Sequence, residues 1–169
     1  MEKHEHFMRF ALAEAAAALQ AGEFPVGCVL VRGDQVLASA RRRNSTGPDT
    51  NELDHAEILV LRAFLQAAPG ADCRDIAVYS TMEPCLMCFA TLLLSGIRRF
   101  VWAYEDVMGG GTGLPLKQLP ELYAGMRVEL VSGVLRNESL ILFQQFFRCH
   151  AYWGDSSLAR YTLAQEATP

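Results

Sequence analysis

The feature that most constrains this chain is a pair of separated segments, His55-Ala56-Glu57 and Pro84-Cys85-Leu86-Met87-Cys88. Two thiolates and one neutral imidazole balance the charge of Zn²⁺ and leave one tetrahedral position open, which is what separates catalytic from structural zinc. Such an ion lowers the pKa of its water from roughly 16 to about 7, so a nucleophile exists without strong base. Residues three apart on a helix share a face, so Cys85 and Cys88 can serve one ion. Glu57, two positions after His55, is turned away from that ligand's direction in a helical first turn; it reads as a general acid and base rather than a ligand. Pro84 suits the first turn of a helix. Its position puts both cysteines at a helix N-terminus, where free N–H groups and the positive dipole end favour thiolates.

Two other chemistries use the same residue types. A Cys-x-x-Cys pair can be a redox couple, but the upstream His-x-Glu and the preceding Pro have no part in that chemistry. A closed structural zinc site would need a fourth ligand from Cys28, Cys73, Cys149 or His150, and no second Cys-x-x-Cys or helically spaced His pair supplies one.

His-x-Glu with Pro-Cys-x-x-Cys is the signature of the zinc deaminases, and the chain resembles the cytidine deaminase superfamily. Pro25-Val26-Gly27-Cys28-Val29-Leu30-Val31, His55-Ala56-Glu57-Ile58 and Thr81-Met82-Glu83-Pro84-Cys85-Leu86-Met87-Cys88 are most similar to the branch that holds tRNA adenosine deaminases, guanine deaminase and fungal-type cytosine deaminase. The resemblance spans roughly residues 5 to 148. It implies one Zn²⁺ per chain held by His55, Cys85 and Cys88, with Glu57 moving protons. Backbone groups near Ala56 and Glu83 would orient the substrate. Asn44 stands eleven positions before His55, where related families place a base-binding asparagine; read alone, Asn44-Ser45-Thr46-Gly47-Pro48 is a turn. Asn51-Glu52-Leu53-Asp54 departs from the Asp-Pro-Thr-Ala common in bacterial tRNA deaminases and many guanine deaminases, which bears on the pocket's shape and hence on the substrate.

A chain of 169 residues fits one domain with a sizeable core, read here as a zinc deaminase domain over 1–150 with 151–169 as its C-terminal extension. No apolar run is long enough to span a membrane and no signal pattern opens the chain, so a cytoplasmic protein is expected. The odd number of cysteines, 5, argues against a disulfide framework. The net charge of −4 gives no overall attraction to a polyanion. Arg41-Arg42-Arg43 and Arg98-Arg99 read as solvated surface clusters or dimer contacts.

Hydrophobic periodicity predicts helices over 5–21, 55–68 and 85–95 and a closing helix over 138–149 capped by Asn137, with strands over 26–31, 35–40, 76–80, 100–103 and 128–131. This order makes an α/β fold, a three-layer α/β/α sandwich around a five-stranded mixed sheet. Met108-Gly109-Gly110-Gly111-Thr112-Gly113 lacks the Lys of a phosphate-binding loop and reads as a mobile loop at the site's mouth or an ordinary connection. Leu92-Leu93-Leu94 and Ile97 suit either core or a homodimer contact.

Phe146-Phe147-Arg148 resembles the end of tRNA adenosine deaminases, but Cys149-His150-Ala151-Tyr152-Trp153-Gly154-Asp155 replaces the basic tail common there. In the resembling nucleobase deaminases an aromatic and acidic tail closes over a small substrate, so Trp153 and Asp155 would form a lid; alternatively Tyr152 and Trp153 anchor a terminal helix. These readings converge on a zinc-dependent hydrolytic deaminase of an amino-substituted nucleobase or nucleoside, with no membrane partner. A tRNA wobble adenosine deaminase and a noncatalytic deaminase-like partner subunit stand as alternatives.

Overall fold

Side chains alternate strictly along the three central strands, and both of their faces are apolar. In a computed structural model, which describes residues 1–167, the chain runs α1 (Glu2–Gln20), β1 (Gly27–Arg32), β2 (Gln35–Arg41), α2 (Ala56–Ala67), β3 (Ile76–Met82), α3 (Leu86–Leu94), β4 (Arg99–Tyr104), α4 (Glu121–Ala124), β5 (Glu129–Val131), α5 (Arg136–Cys149) and α6 (Ser157–Leu163), with one 3-10 turn at Leu116–Gln118. Cys28 and Leu30 of β1, Ile76 and Val78 of β3, and Phe100, Trp102 and Tyr104 of β4 enter one core, shared with α2, α3 and α5. Their neighbours Val29, Val31, Ala77, Tyr79, Val101 and Ala103 enter a second core beneath α1. A period of two with both faces buried is what a sheet sandwiched between helices requires.

The sheet order is β2-β1-β3-β4-β5. β1 pairs antiparallel with β2 and β3, whereas β3, β4 and β5 are parallel. The mixed five-stranded α/β sheet expected from the sequence is therefore present. α1 lies so close to β1 that a Cβ on Gly27 would sit 2.1 Å from the Ala11 carbonyl oxygen.

Several boundaries move. His55 and Cys85 are not the first residues of helices but the extended residues capping α2 and α3. The closing helix starts at Arg136 after Leu135 in a left-handed conformation, rather than from an Asn137 cap; the Arg136 guanidinium there is paired with Glu105 and Gln165. Leu92, Leu93 and Ile97 are core, while Leu94 is exposed. No helix among the described residues is long and apolar enough to cross a membrane.

The segment after α5 is bound at many points. Tyr104 Oη meets the Thr162 hydroxyl at 3.0 Å, Gln144 Nε2 donates to the carbonyls of Thr162 and Gln165, and Tyr161 Oη donates to Glu105. Tyr152 packs edge-on against Phe24. His150 stacks on Phe146 at 4.5 Å. His4 of α1 is half-buried and bonded to Tyr79.

Candidate active site

Ligands of open α/β sheets sit beyond the carboxyl ends of the parallel strands, and the site is there. β3 ends at Met82 and delivers Glu83, Pro84 and Cys85; β4 ends at Tyr104 and delivers Asp106. The Glu83 N–H donates to the Tyr104 carbonyl at 2.7 Å, holding the two strand ends together. α2 approaches across this edge and contributes His55, Ala56 and Glu57.

His55 Nδ1 lies 3.6 Å from Cys85 Sγ and 3.5 Å from Cys88 Sγ, and the three donor atoms lie within 4.8 Å of one another. A tetrahedral zinc with Zn–S of about 2.3 Å and Zn–N of about 2.0 Å sets an S···N edge of about 3.5 Å, so the donor set fits that ion. Among the described residues no fourth His, Cys, Asp or Glu joins the group, which leaves the open position that separates a catalytic from a structural site. Cys28 lies nearby, but burial pushes its thiol well up, so it stays protonated.

Electrostatics reflect the crowding. Hydrogen bonding from the Cys88 thiol, together with the His55 imidazole and the Cys88 backbone N–H, outweighs burial and lowers the Cys85 pKa to about 4. The proton Cys88 shares with Cys85, and its own burial, raise Cys88. Burial alone would depress His55, but its hydrogen bond to Cys85 and the charges of Glu57 and Cys85 leave it raised. One thiolate is thus favoured even before a cation adds its field.

Glu57 is 3% exposed. Ser80 Oγ donates to its Oε1 at 3.0 Å, and Oε2 is 3.7 Å from Cys88 Sγ. Desolvation raises its pKa, opposed by His55.

His55, Cys85 and Glu57 open onto a cavity of about 180 Å³ lined by Phe24, Val26, Ala56, Met82, Met108, Trp153 and Leu158 with the polar groups of Arg42, Glu52, Glu83, Asp106 and Tyr152. Of the residues assigned to substrate from the sequence, Ala56, Glu83 and Trp153 line it. Asn44 and Asp155 do not. Asn44, in the left-handed region at φ 53°, donates from Nδ2 to Asp54 Oδ2 at 2.7 Å, so its amide braces the 44–54 loop. Asp155 is exposed, and its carbonyl takes an N–H from Arg160.

The glycine-rich segment is ordered rather than loose. Thr112 Oγ1 and the Asp106 N–H both donate to the Glu83 carboxylate, and the Gly111 N–H donates to the Pro84 carbonyl at 2.9 Å. A Cβ on Gly111 would stand 2.7 Å from the Leu86 backbone, so only glycine lets the loop lie against the start of α3.

Arg42 is a residue that sequence reasoning misplaced. It is not on the surface but 2% exposed, donating to the carbonyls of Arg43 at 2.8 Å and Asn51 at 2.6 Å. Phe24, Glu52 and Leu158 carry no local signal for the site; long-range packing brings them there.

Comparison with known proteins agrees with this geometry. Residues 1–104 match the zinc-binding region of cytidine and deoxycytidylate deaminases. The chain is 35% identical over 153 residues to a tRNA-specific adenosine deaminase of Agrobacterium fabrum, covering 88% of this chain and 96% of that protein. To the tRNA-specific adenosine deaminase of Bacillus subtilis it is 33% identical, covering 88% and 91%. A solved structure from a study of A-to-I editing by tRNA:A34 deaminases superimposes with a TM-score of 0.70 at 32% identity, over 81% of this chain and 98% of that one. The guanine deaminase of Nitrosomonas europaea shares the fold, with a TM-score of 0.66 at 22% identity over 86% and 85%. With a matching zinc-binding region, full-length relatives and a donor set spaced for zinc, the chain belongs to the cytidine and deoxycytidylate deaminase family of zinc-dependent hydrolases acting on C–N bonds.

Proposed function

We propose that this chain hydrolyses the 6-amino group of adenosine in a tRNA, giving inosine and ammonia. The observation that carries this reading is the coincidence of the zinc donor set and a buried Glu57 at the floor of one cavity, in a chain that aligns along its length with tRNA-specific adenosine deaminases. In this reading His55, Cys85 and Cys88 hold the ion, which when bound supplies a Lewis acid and a water of lowered pKa. Glu57 does the proton work. Its raised pKa suits a carboxyl that must both take and give a proton near neutrality. It accepts one proton of the attacking water as a C–O bond forms at the ring carbon and passes it to the ring nitrogen, then takes the remaining proton of the new hydroxyl and delivers it to the amine as the C–N bond breaks, leaving a carbonyl and ammonia. Ser80 fixes the carboxyl's orientation. Ala56 and Glu83 border the ring, and Met82, Met108 and Trp153 exclude water around it.

A second reading, deamination of a free nucleobase such as guanine, cytosine or adenine, is favoured by one observation. Tyr152, Trp153 and Leu158 wall the cavity, and a wall suits a ligand that enters whole. The net charge of −4 points the same way. A homodimer, with exposed Leu86 and Leu94 of α3 as apolar contact side chains, and a cytoplasmic location complete the proposal.

Ammonia release by the zinc-loaded protein over a panel of adenine, guanine, cytosine, their nucleosides and an adenosine-bearing anticodon stem-loop decides between the readings. Inosine in the stem-loop alone supports the first. Turnover of a free base replaces it with the second.

A further inference from the structure

Glu52 stands between the zinc donor set and the C-terminal wall of the cavity. His55 presents Nδ1 to both sulfurs, and its other ring nitrogen, Nε2, lies 3.6 Å from Glu52 Oε2. At that separation the two form a charge contact rather than a hydrogen bond. The same carboxylate is held from two other sides. Tyr152 Oη donates to it at 2.9 and 3.1 Å across 100 residues of sequence, and Arg42 Nη2 faces Oε2 at 3.3 Å. Arg42 is itself fixed by two backbone carbonyls. Glu52 is half-exposed, yet its position is set by a buried guanidinium and an anchored phenol.

An imidazole bound through one nitrogen carries its proton on the other, and a carboxylate facing that proton orients the ring and makes it a better ligand. We propose that Glu52 is a positioning residue for His55, kept in place by Arg42 and Tyr152, so that retention of zinc is coupled to the seating of the C-terminal segment. Glu52 acts through His55, from the polar part of the cavity wall. The proposal rests on the zinc donor set and is independent of which base is deaminated.

The test is zinc affinity of the full-length protein, measured by competition with a chromophoric chelator, for wild type, Glu52→Ala, Glu52→Gln and Tyr152→Phe. Loss of an outer-shell partner typically weakens metal binding about 10–100-fold, and Glu52→Ala should fall in that range. Glu52→Gln, which keeps an acceptor oxygen, should restore part of the loss. Tyr152→Phe keeps the ring against Phe24 and should lose a smaller factor while the metal-free melting temperature stays at the wild-type value. A shifted visible spectrum in the cobalt-substituted Glu52→Ala protein would show that the ligand geometry changed. Unchanged zinc affinity in Glu52→Ala overturns the proposal, as does a Tyr152→Phe loss that only follows a fall in metal-free stability. If Glu52→Ala does not fold, Tyr152→Phe decides alone.

Discussion

Ser80 of β3 and Glu57 of α2 meet across the sheet–helix interface, the serine hydroxyl donating to a buried carboxylate at 3.0 Å. This bond aims the second carboxylate oxygen toward the donor set without making it a ligand. Glu57→Gln is therefore expected to keep its zinc, measured by metal analysis, while turnover falls by at least the factor of about 10²–10⁴ that a positioned acid and base contributes. Zinc lost along with activity would contradict the assignment.

Gly111 marks how tightly the glycine-rich loop is pressed on the start of α3. A Gly111→Ala methyl would stand 2.7 Å from Leu86 Cα and 2.8 Å from the Cys85 carbonyl carbon, so the loop must retreat from the residue that supplies a sulfur. The expected result is a lower melting temperature, by about 1–3 kcal/mol of overpacking, with weakened zinc retention. Gly113→Ala, with nothing nearby, should leave both unchanged.

Glu105 ties α6 to the rest of the molecule through Arg136 and Tyr161. Burial pushes its carboxyl up, but these hydrogen bonds win and hold it below its ordinary value of 4.5. A folded-state pKa below the unfolded one gives stability that is present above 4.5 and lost as pH falls through the folded value. Melting curves should show wild type above Glu105→Gln at neutral pH, with the gap closing as pH drops below 4.5. A gap that persists in acid would refute the linkage.

Arg42 donates to two carbonyls and faces the carboxylate that touches His55. Arg42→Met removes those donors from a buried place, and stranded carbonyls cost about 1–3 kcal/mol each. Chemical denaturation should show that loss, accompanied by a higher KM because the cavity wall shifts.

Asn44 separates a loop brace from a base contact. If its work is to hold the 44–54 loop through Asp54 in a left-handed conformation, Asn44→Ala destabilises the fold by about 1–2 kcal/mol of backbone strain. Asn44→Gly, free of that strain, should retain the wild-type KM. A large rise in KM for Asn44→Gly would instead place the amide on the substrate.

The metal donor set was legible because ligand chemistry permits few residue types and helix geometry permits few spacings; His55, Cys85 and Cys88 satisfy both locally. The sheet was legible because its central strands alternate between two apolar faces. Asn44 reads as a base contact from its separation from His55, while the fold gives its amide a nearer partner in Asp54, a pairing that the spacing alone does not announce. Arg42 was hidden for another reason. A cation within Arg41-Arg42-Arg43 has the local signature of solvent, and Tyr152, contributed by a segment 110 positions later, helps to cover it. Contacts of that sequence separation leave no trace in periodicity.

The C-terminal segment is fastened at Tyr152 to Glu52 and at Thr162 to Tyr104 and Gln144. Its conformational entropy is therefore lost when the chain folds, not when a ligand arrives. A base entering the cavity meets a preorganised wall, so its affinity carries little ordering penalty and reflects the match between its own outline and the space on offer.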